Sequence, residues 1–548
     1  MTAVSLVAEP TAPTAHATPT APTVAQPTSW RLGRTIVAFV WRAQRRAVIG
    51  WGILVSLLII GNAITFDRNN PTAADKATFA AEIQGGGLTL MFGPPTDAET
   101  VAGFTQWRAM MVGALLAIWA LMASTQLFRG AEQATTWQIL QSGRLTRNQL
   151  FRWMSVGLLV CLVPLWLMVF ASATIGGAVT DGVIAVGGFA YFATVVVALA
   201  AVFLGFGILA SQLMSTRQGA LGLCLGIWVA AYLLRAVGDL QESFLTWLSP
   251  FGWVEKSEPI VDPHYAVSLL LLGAVAILWG VSFLIQRRRD CGHAIIAGRT
   301  RRSQRLALLH GLIPAQLRLN LGWMVGGAAV LGFFGCLFGM NVDDADERYA
   351  MGSAGFIAMT LSLLGTFAAL LMAYQLVKLV KAETGGQSRT VLARPVHRSA
   401  DLGAHVVTDV VMLVTFLAGA GGGMMLGLAT QTTEFTVARM AQALAMWFCA
   451  ALVTYALGLA LFGWLPRAAA GFTGGLILIW FLLEMFGGSM GAPDWLLGLS
   501  VWHWIPAVPT EDVDLTFVVL TLGGALLLAI AAFVGYARRD LLQPELEL

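Results

Sequence analysis

Charge is what this sequence lacks most. Only 11% of its 548 residues are charged, against 57% hydrophobic, and its mean hydropathy is +0.74. A soluble domain carries about 25% charge, so most of this surface does not face water. That excludes nearly all soluble-enzyme and nucleic-acid-binding classes. Lysine is confined to Lys76, Lys256, Lys378 and Lys381. No Gly-Lys pair occurs anywhere, so the chain cannot build the glycine-rich loop that cradles ATP phosphates. The five cysteines (Cys161, Cys224, Cys291, Cys336, Cys449) form no CxxC pair and imply no disulfide framework; they read as small buried apolar residues. The histidines are dispersed without an HExxH, so no metal site is expected. Gly487-Gly488-Ser489-Met490-Gly491 matches GxSxG only in letters, because a nucleophile elbow needs a strand, a sharp turn and a helix.

Long apolar runs are what the sequence has. A membrane-crossing helix needs about 20 apolar residues. Twelve runs qualify, at about 47–66, 107–128, 153–176, 183–210, 219–236, 266–285, 319–340, 353–376, 405–428, 442–463, 469–487 and 515–536. Only a short turn, Gly176–Gly182, separates the third from the fourth. The expected fold is an all-α polytopic membrane protein. Residues 1–30 form a Thr/Ala/Pro tract that reads as a disordered tail. The next stretch places Arg31, Arg34, Arg42, Arg45 and Arg46 among Ile36, Val37, Phe39, Val40 and Trp41, a pattern suited to a helix lying on the membrane surface.

Charge in the loops sets the expected orientation. With the N-terminus inside, inside segments hold 26 Lys+Arg and 8 Asp+Glu, and outside loops hold 5 and 20. Lys and Arg concentrate on cytoplasmic loops, so both termini are expected in the cytoplasm. Arg108, Arg235, Asp409 and Glu484 remain within spans or at their edges.

A repeat runs through the chain at an offset of about 250. Glu132 is followed by Arg147 as Glu383 is by Arg398. Leu248-Ser249, Trp253 and Arg288-Arg289-Asp290 return as Leu499-Ser500, Trp504 and Arg538-Arg539-Asp540, and Arg217 returns as Arg467. Six spans per half give both halves one orientation, a parallel repeat about an axis along the membrane normal. The expected organisation is a tail (1–30), a first six-span half with its interfacial helix (31–290), a cytoplasmic linker or interfacial helix (291–318), a second half (319–540) and a short tail (541–548). The first outside loop, about 67–106, is much longer than its counterpart, about 341–352. Two such bundles enclose one path at their interface, so transport is the expected use.

Two inside loops stand out. One runs Arg129-Gly-Ala-Glu132, then Trp137, Ile139 and Leu140, then Arg144 and Arg147. The other runs Lys381-Ala-Glu383, then Val391 and Leu392, then Arg394-Pro395-Val396-His397-Arg398. Acid first and base last suits the macrodipole of a short helix, and the apolar centre suits docking into a partner's groove. Arg235 and Glu484 sit at near-equivalent places toward the outer ends of the fifth and eleventh spans. Intramembrane charges face protein or water, so the two are expected to face each other and gate the outer path. Asp409 reads as a boundary residue near the inner end of the ninth span. Gly419, Gly423 and Gly427, like Gly222 and Gly226, have the four-residue spacing that lets helices approach closely.

On these two loops and on Leu248-Ser249-Pro250-Phe251-Gly252-Trp253, the sequence resembles the type-2 ABC exporter permeases. The likeness is to the single-chain, twelve-span kind known as tetronasin-like, polyketide-antibiotic or multidrug exporter permeases of actinobacteria, and it covers roughly residues 31–540. The resemblance implies a bacterial plasma-membrane protein with no cofactor of its own and no nucleic-acid partner. Its partner is a dimer of cytoplasmic ABC subunits that bind ATP and Mg, touched by the Glu132–Arg147 and Glu383–Arg398 loops. It further implies that the fifth span of each half, with Trp228, Tyr232 and Arg235 or Trp480 and Glu484, lines the path of a small hydrophobic substrate among membrane lipid. Re-entrant outer hairpins follow, with Pro250, Phe251 and Trp253 in one and Trp502 and Trp504 in the other. The second half lacks the Pro-Phe-Gly of the first, so the hairpins are expected to differ in shape. Two readings compete: a proton-coupled secondary drug antiporter, which also has six-plus-six halves, and a polytopic lipid-linked glycosyltransferase, which needs a large outer domain the chain lacks.

Overall fold

A computed structural model describes residues 29–83, 92–141, 145–180, 186–289, 294–296, 311–343, 352–433, 435–488 and 490–542. The described residues are helical, 83% helix without strands, and among them twelve helices are long and apolar enough to cross a membrane. In the first half these are α1 (Ser29–Asn69), α4 (Ala109–Thr125), α6 (Arg147–Val179), α7 (Val186–Leu213), α8 (Arg217–Leu240) and α10 (Tyr265–Arg288). In the second they are α11 (Leu312–Gly339), α12 (Gly352–Thr384), α14 (Arg398–Leu428), α15 (Val437–Trp464), α16 (Pro466–Leu482) and α18 (Leu515–Arg538). Short helices lie between them: α2 (Ala73–Ile83), α3 (Val101–Trp107), α5 (Thr136–Gln141), α9 (Pro250–Glu255), α13 (Gln387–Leu392) and α17 (Asp494–Leu497). Arg144 and Cys291 lie outside the described residues.

The same packing recurs in each group of six. α1 lies along α6, and α11 along α14. α7 packs on α4 and α10, and α15 on α12 and α18. Each group has its own apolar core. Phe128, Phe192 and Phe203 are buried in the first, and Leu413, Phe416 and Phe462 in the second.

The expected surface helix is not separate. Residues 29–69 form one unbroken helix of 41 residues, about 60 Å long at 1.5 Å per residue. α6 starts at Arg147, well before its apolar run, and gives α1 a protein surface to pack on. Ile36 and Val40 are buried in the first core, Val40 against Gly157, while Arg31, Arg34, Arg42, Arg45 and Arg46 stay exposed. The apolar face of 31–46 is therefore covered by α6 and not by lipid. α11 likewise begins inside the stretch expected as linker.

The glycine spacing of the ninth span works as a backbone seam. A Cβ on Gly423 would fall 1.8 Å from the Gly332 carbonyl oxygen, and one on Gly419 2.5 Å from that of Ala328. No side chain fits between α11 and α14 there. Gly222 and Gly226 differ from the expectation, because a Cβ on either would meet nothing within 4 Å. At these two positions α8 meets no other described helix.

The described parts of the long first loop pack on the end of α1. Phe66 stacks on Phe104 at 4.3 Å and meets Phe79 edge-on. Gln106 Oε1 accepts from the Ile260 and Val261 amides at 2.7 and 3.0 Å, tying α3 to the segment before α10. In the second half a single residue does comparable work. Asp343 accepts from the backbone and hydroxyl groups of Thr432 and Thr433, and these bonds hold its carboxyl far below the usual carboxylate range.

Candidate functional site: coupling loops and outer hairpins

Both loops singled out in the sequence contain a six-residue helix, α5 and α13, and the two helices lie 251 positions apart. The acid ahead of each helix is not on the surface. Glu132 accepts from Arg289 Nη2 at 2.8 Å on both oxygens, and from Arg129 Nη1 at 2.6 Å. Glu383 accepts from Arg539 Nη2 at 2.7 Å and Nη1 at 3.0 Å. The side chains of Glu132 and Glu383 are only 6% and 1% exposed. Each ion pair joins one of these loops to the end of the sixth long helix of its group, α10 or α18. The repeat had marked Arg289 and Arg539 as equivalent. It did not show that each binds the equivalent glutamate, since the partners are some 156 positions apart.

A π-helical turn, Gln126–Gly130, precedes Glu132 and carries Arg129. Such turns widen the helix by one residue and often mark functional sites. The apolar centre of the first loop divides between two directions. Trp137 is buried, donating from Nε1 to the Leu127 carbonyl at 3.1 Å, and Leu140 is half-buried against the same core. Trp137 thus faces its own bundle and is corrected from a docking residue to a packing one. Ile139, 68% exposed, is the side chain offered outward. In the second loop Leu392 is half-buried while Arg389, Thr390 and Arg394 are exposed. Arg398 opens α14 and donates to the Arg539 carbonyl at 2.6 Å, joining the Glu383 network. Arg147 opens α6 behind the Thr146 cap, half-buried.

The outer hairpins share their ties and differ in helix type. Ser249 Oγ accepts from the Phe251 amide at 3.2 Å, and Ser500 Oγ from that of Trp502 at 3.1 Å. Trp253 Nε1 donates to the Trp247 carbonyl at 2.7 Å, and Trp504 Nε1 to that of Gly498 at 3.0 Å. Pro250 occupies the first turn of α9, a six-residue α-helix, whereas Val501–Trp504 is a single 3₁₀ turn. Proline at that place is pre-set for a helix start, and the second hairpin has none.

Each hairpin seats an aromatic residue on the fifth span of its half. Phe251, fully buried, meets Trp228 at 5.8 Å and Tyr232 at 5.9 Å. Trp502, at the equivalent position, meets Trp480 at 6.0 Å and Trp447 at 5.7 Å. Trp228, Tyr232 and Trp480 are therefore packed in protein and line no open path in this conformation.

Arg235 and Glu484 do not meet. Arg235 is fully buried and pairs with Asp239 at 3.1 Å and Glu255 at 3.9 Å, over the Tyr232 ring. Glu484, one-third exposed in a second π-helical turn (Leu483–Gly487), lies 3.8 Å from His503 Nδ1. Acids on the neighbouring turn and hairpin, invisible to a comparison of the two spans alone, claim Arg235 first. Contacts between the two groups include Tyr232 with Phe334 of α11 at 6.0 Å and Phe486 on Gly61 of α1. Glu255 faces Asp239 in a buried setting, and burial followed by that like charge pushes its carboxyl up to about 8.

Residues 316–537 match the family described as multidrug efflux system permease Rv1217c, C-terminal domain. The chain is also 25% identical over 465 residues to the multidrug efflux system permease protein Rv1217c of Mycobacterium tuberculosis, covering 81% of this chain and 82% of that protein. A match of that length takes in helices of both groups. With twelve apolar helices among the described residues, the chain reads as a multi-pass membrane protein that is similar to multidrug efflux permeases.

Proposed function

We propose that the chain is the membrane subunit of an ATP-driven exporter of hydrophobic or amphipathic compounds, powered by a separate dimer of ATP-binding subunits that holds ATP and Mg. The observation that carries this reading is the repeated ion pair. In each half a short inner-loop helix is bonded through a buried Glu–Arg pair to the end of the last span. A force on α5 or α13 reaches the end of α10 or α18 through the acid a few residues ahead of each short helix. The exposed Ile139 and the exposed polar face of α13 suit contact with a soluble partner. The relative's name, a multidrug efflux system permease, agrees with the substrate class.

The recurring helix contacts, capping serines and tryptophan ties support two like-oriented halves, with both termini cytoplasmic on the charge distribution. Closure of the ATPase dimer would draw the two inner loops together and rock one half against the other. Spans five and eleven leave faces without protein contact at Gly222, Gly226, Gly471 and Gly475, and these suit the walls of a path. Co-purification with an ATP-binding protein and drug-stimulated ATP hydrolysis test the proposal. Drug efflux should persist with a protonophore and stop when that hydrolysis is blocked. Transport by the purified chain alone, driven by a pH gradient, would overturn it in favour of a secondary antiporter.

A further inference from the structure

The two halves differ sharply along one helix face. On α14, Asp401, His405 and Asp409 are spaced by four, so they stack on one side, about 6 Å apart along the axis. The positions 251 earlier, on α6, are Leu150, Met154 and Leu158, all fully buried. The first half fills this stripe with hydrocarbon and folds around it. The fold therefore does not require ionisable groups here, and in so apolar a chain they are costly.

Asp409 is not the boundary residue its position suggested. It is 3% exposed and accepts from the hydroxyl of Tyr455 on α15, itself 2% exposed. Leu204, fully buried, holds the position equivalent to Tyr455. From α12, Lys378 lies within electrostatic reach of both Asp409 and His405. It donates to Asn320 Oδ1 of α11 at 2.5 Å, and Leu127 stands at its equivalent place. α11 otherwise offers neutral amides here, with Gln316 Nε2 3.2 Å from His405 Nε2. Toward the inner end, Asp401 is 4% exposed. It faces Tyr536 of α18 and lies in the field of Glu383, beside the Glu383–Arg539–Arg398 network. A chain of protonatable side chains thus runs from the inner loop to a buried carboxyl. One carboxylate beside an ammonium does not suit a hard metal ion, which takes six or more oxygen ligands. A proton needs only one.

We propose that Asp401, His405 and Asp409 form a proton-loading ladder, present in the second half alone, that carries a proton from the inner face to Asp409. His405 accepts at one ring nitrogen as the other releases, and Asp409, held by Tyr455, is the terminal site. The proposal does not depend on what powers transport.

The test uses the full-length chain in detergent and N,N′-dicyclohexylcarbodiimide, which modifies protonated carboxyls in apolar surroundings. Mass spectrometry should find the adduct on the Asp409 peptide, more of it as pH falls, and none after Asp409→Asn. Replacing the ladder by its first-half residues, in Asp401→Leu with His405→Met, should slow proton uptake by Asp409 after a rapid pH drop, followed by its protonated-carboxyl infrared band, about tenfold without changing the final extent. The conservative pair Asp401→Asn with His405→Gln should also slow it and serves if the first variant fails to fold. Absence of adduct on Asp409 in a monodisperse sample would overturn the proposal. So would proton uptake at the full rate in a folded ladder variant.

Discussion

Arg539 grips Glu383 with both terminal guanidinium nitrogens, at 2.7 and 3.0 Å, and closes the second half's inner loop onto its last span. Removing one partner of a buried ion pair strands the other and costs about 3–5 kcal/mol, more than the pair itself contributes. Arg539→Met should therefore lower the thermal midpoint of the purified chain clearly, and Glu383→Gln less, since an amide still accepts from Arg539. The double variant should be more stable than the sum of single losses predicts. The equivalent cycle at Glu132 and Arg289 should show weaker coupling, because Arg129 remains to neutralise Glu132.

Ile139 and Trp137 stand two residues apart and should fail in different ways. Ile139→Asp, on an exposed side chain, should leave the unfolding free energy within about 0.5 kcal/mol of the parent while abolishing recovery of the chain with an ATP-binding partner. Trp137→Ala should cost about 3–5 kcal/mol from the emptied core. Pull-down and thermal melting on the same preparations separate the two.

The glycines divide in the same manner. Gly423→Ala sets a methyl against the Gly332 backbone, which has no flexible end to move aside. Thermal unfolding should show a loss of about 1–3 kcal/mol from overpacking. Gly222→Ala meets nothing and should stabilise α8 by about 0.5–1 kcal/mol, the helix-propensity difference. Equal effects from the two would deny the seam.

Glu255 sets a pH dependence at the outer hairpin. Its carboxyl titrates near 8 in the folded chain, against an ordinary 4.5, because burial and Asp239 disfavour its charge. Between these values the folded chain holds a proton that the unfolded chain has released. Its stability contribution is thus complete below about 4.5 and declines as pH rises through about 8. Hydrogen exchange of the 244–262 segment should quicken across that window, and Glu255→Gln should flatten the response.

Much of this architecture is legible without coordinates. Twelve apolar runs gave twelve helices because lipid leaves the backbone no partners but its own. The short helix in each inner loop also followed from local pattern, as did the close approach at Gly419, Gly423 and Gly427. Other readings failed for one shared reason. Residues 31–46 have an amphipathic pattern, and that pattern states only that one face must be covered. Whether lipid or α6 covers it is decided by where α6 begins.

The same limit governs the charges. The sequence by itself determined which ionisable residues the membrane region holds, where the loops lie, and which positions recur at an offset of about 250. Only the tertiary structure decided their partners: Arg289 for Glu132, Arg539 for Glu383, Asp239 in place of Glu484 for Arg235, and Tyr455 for Asp409. Spacing fixes neighbours along one helix, within a turn or two. An ion pair across some 156 residues depends on how separate helices pack, and that is settled by side-chain fit throughout each bundle.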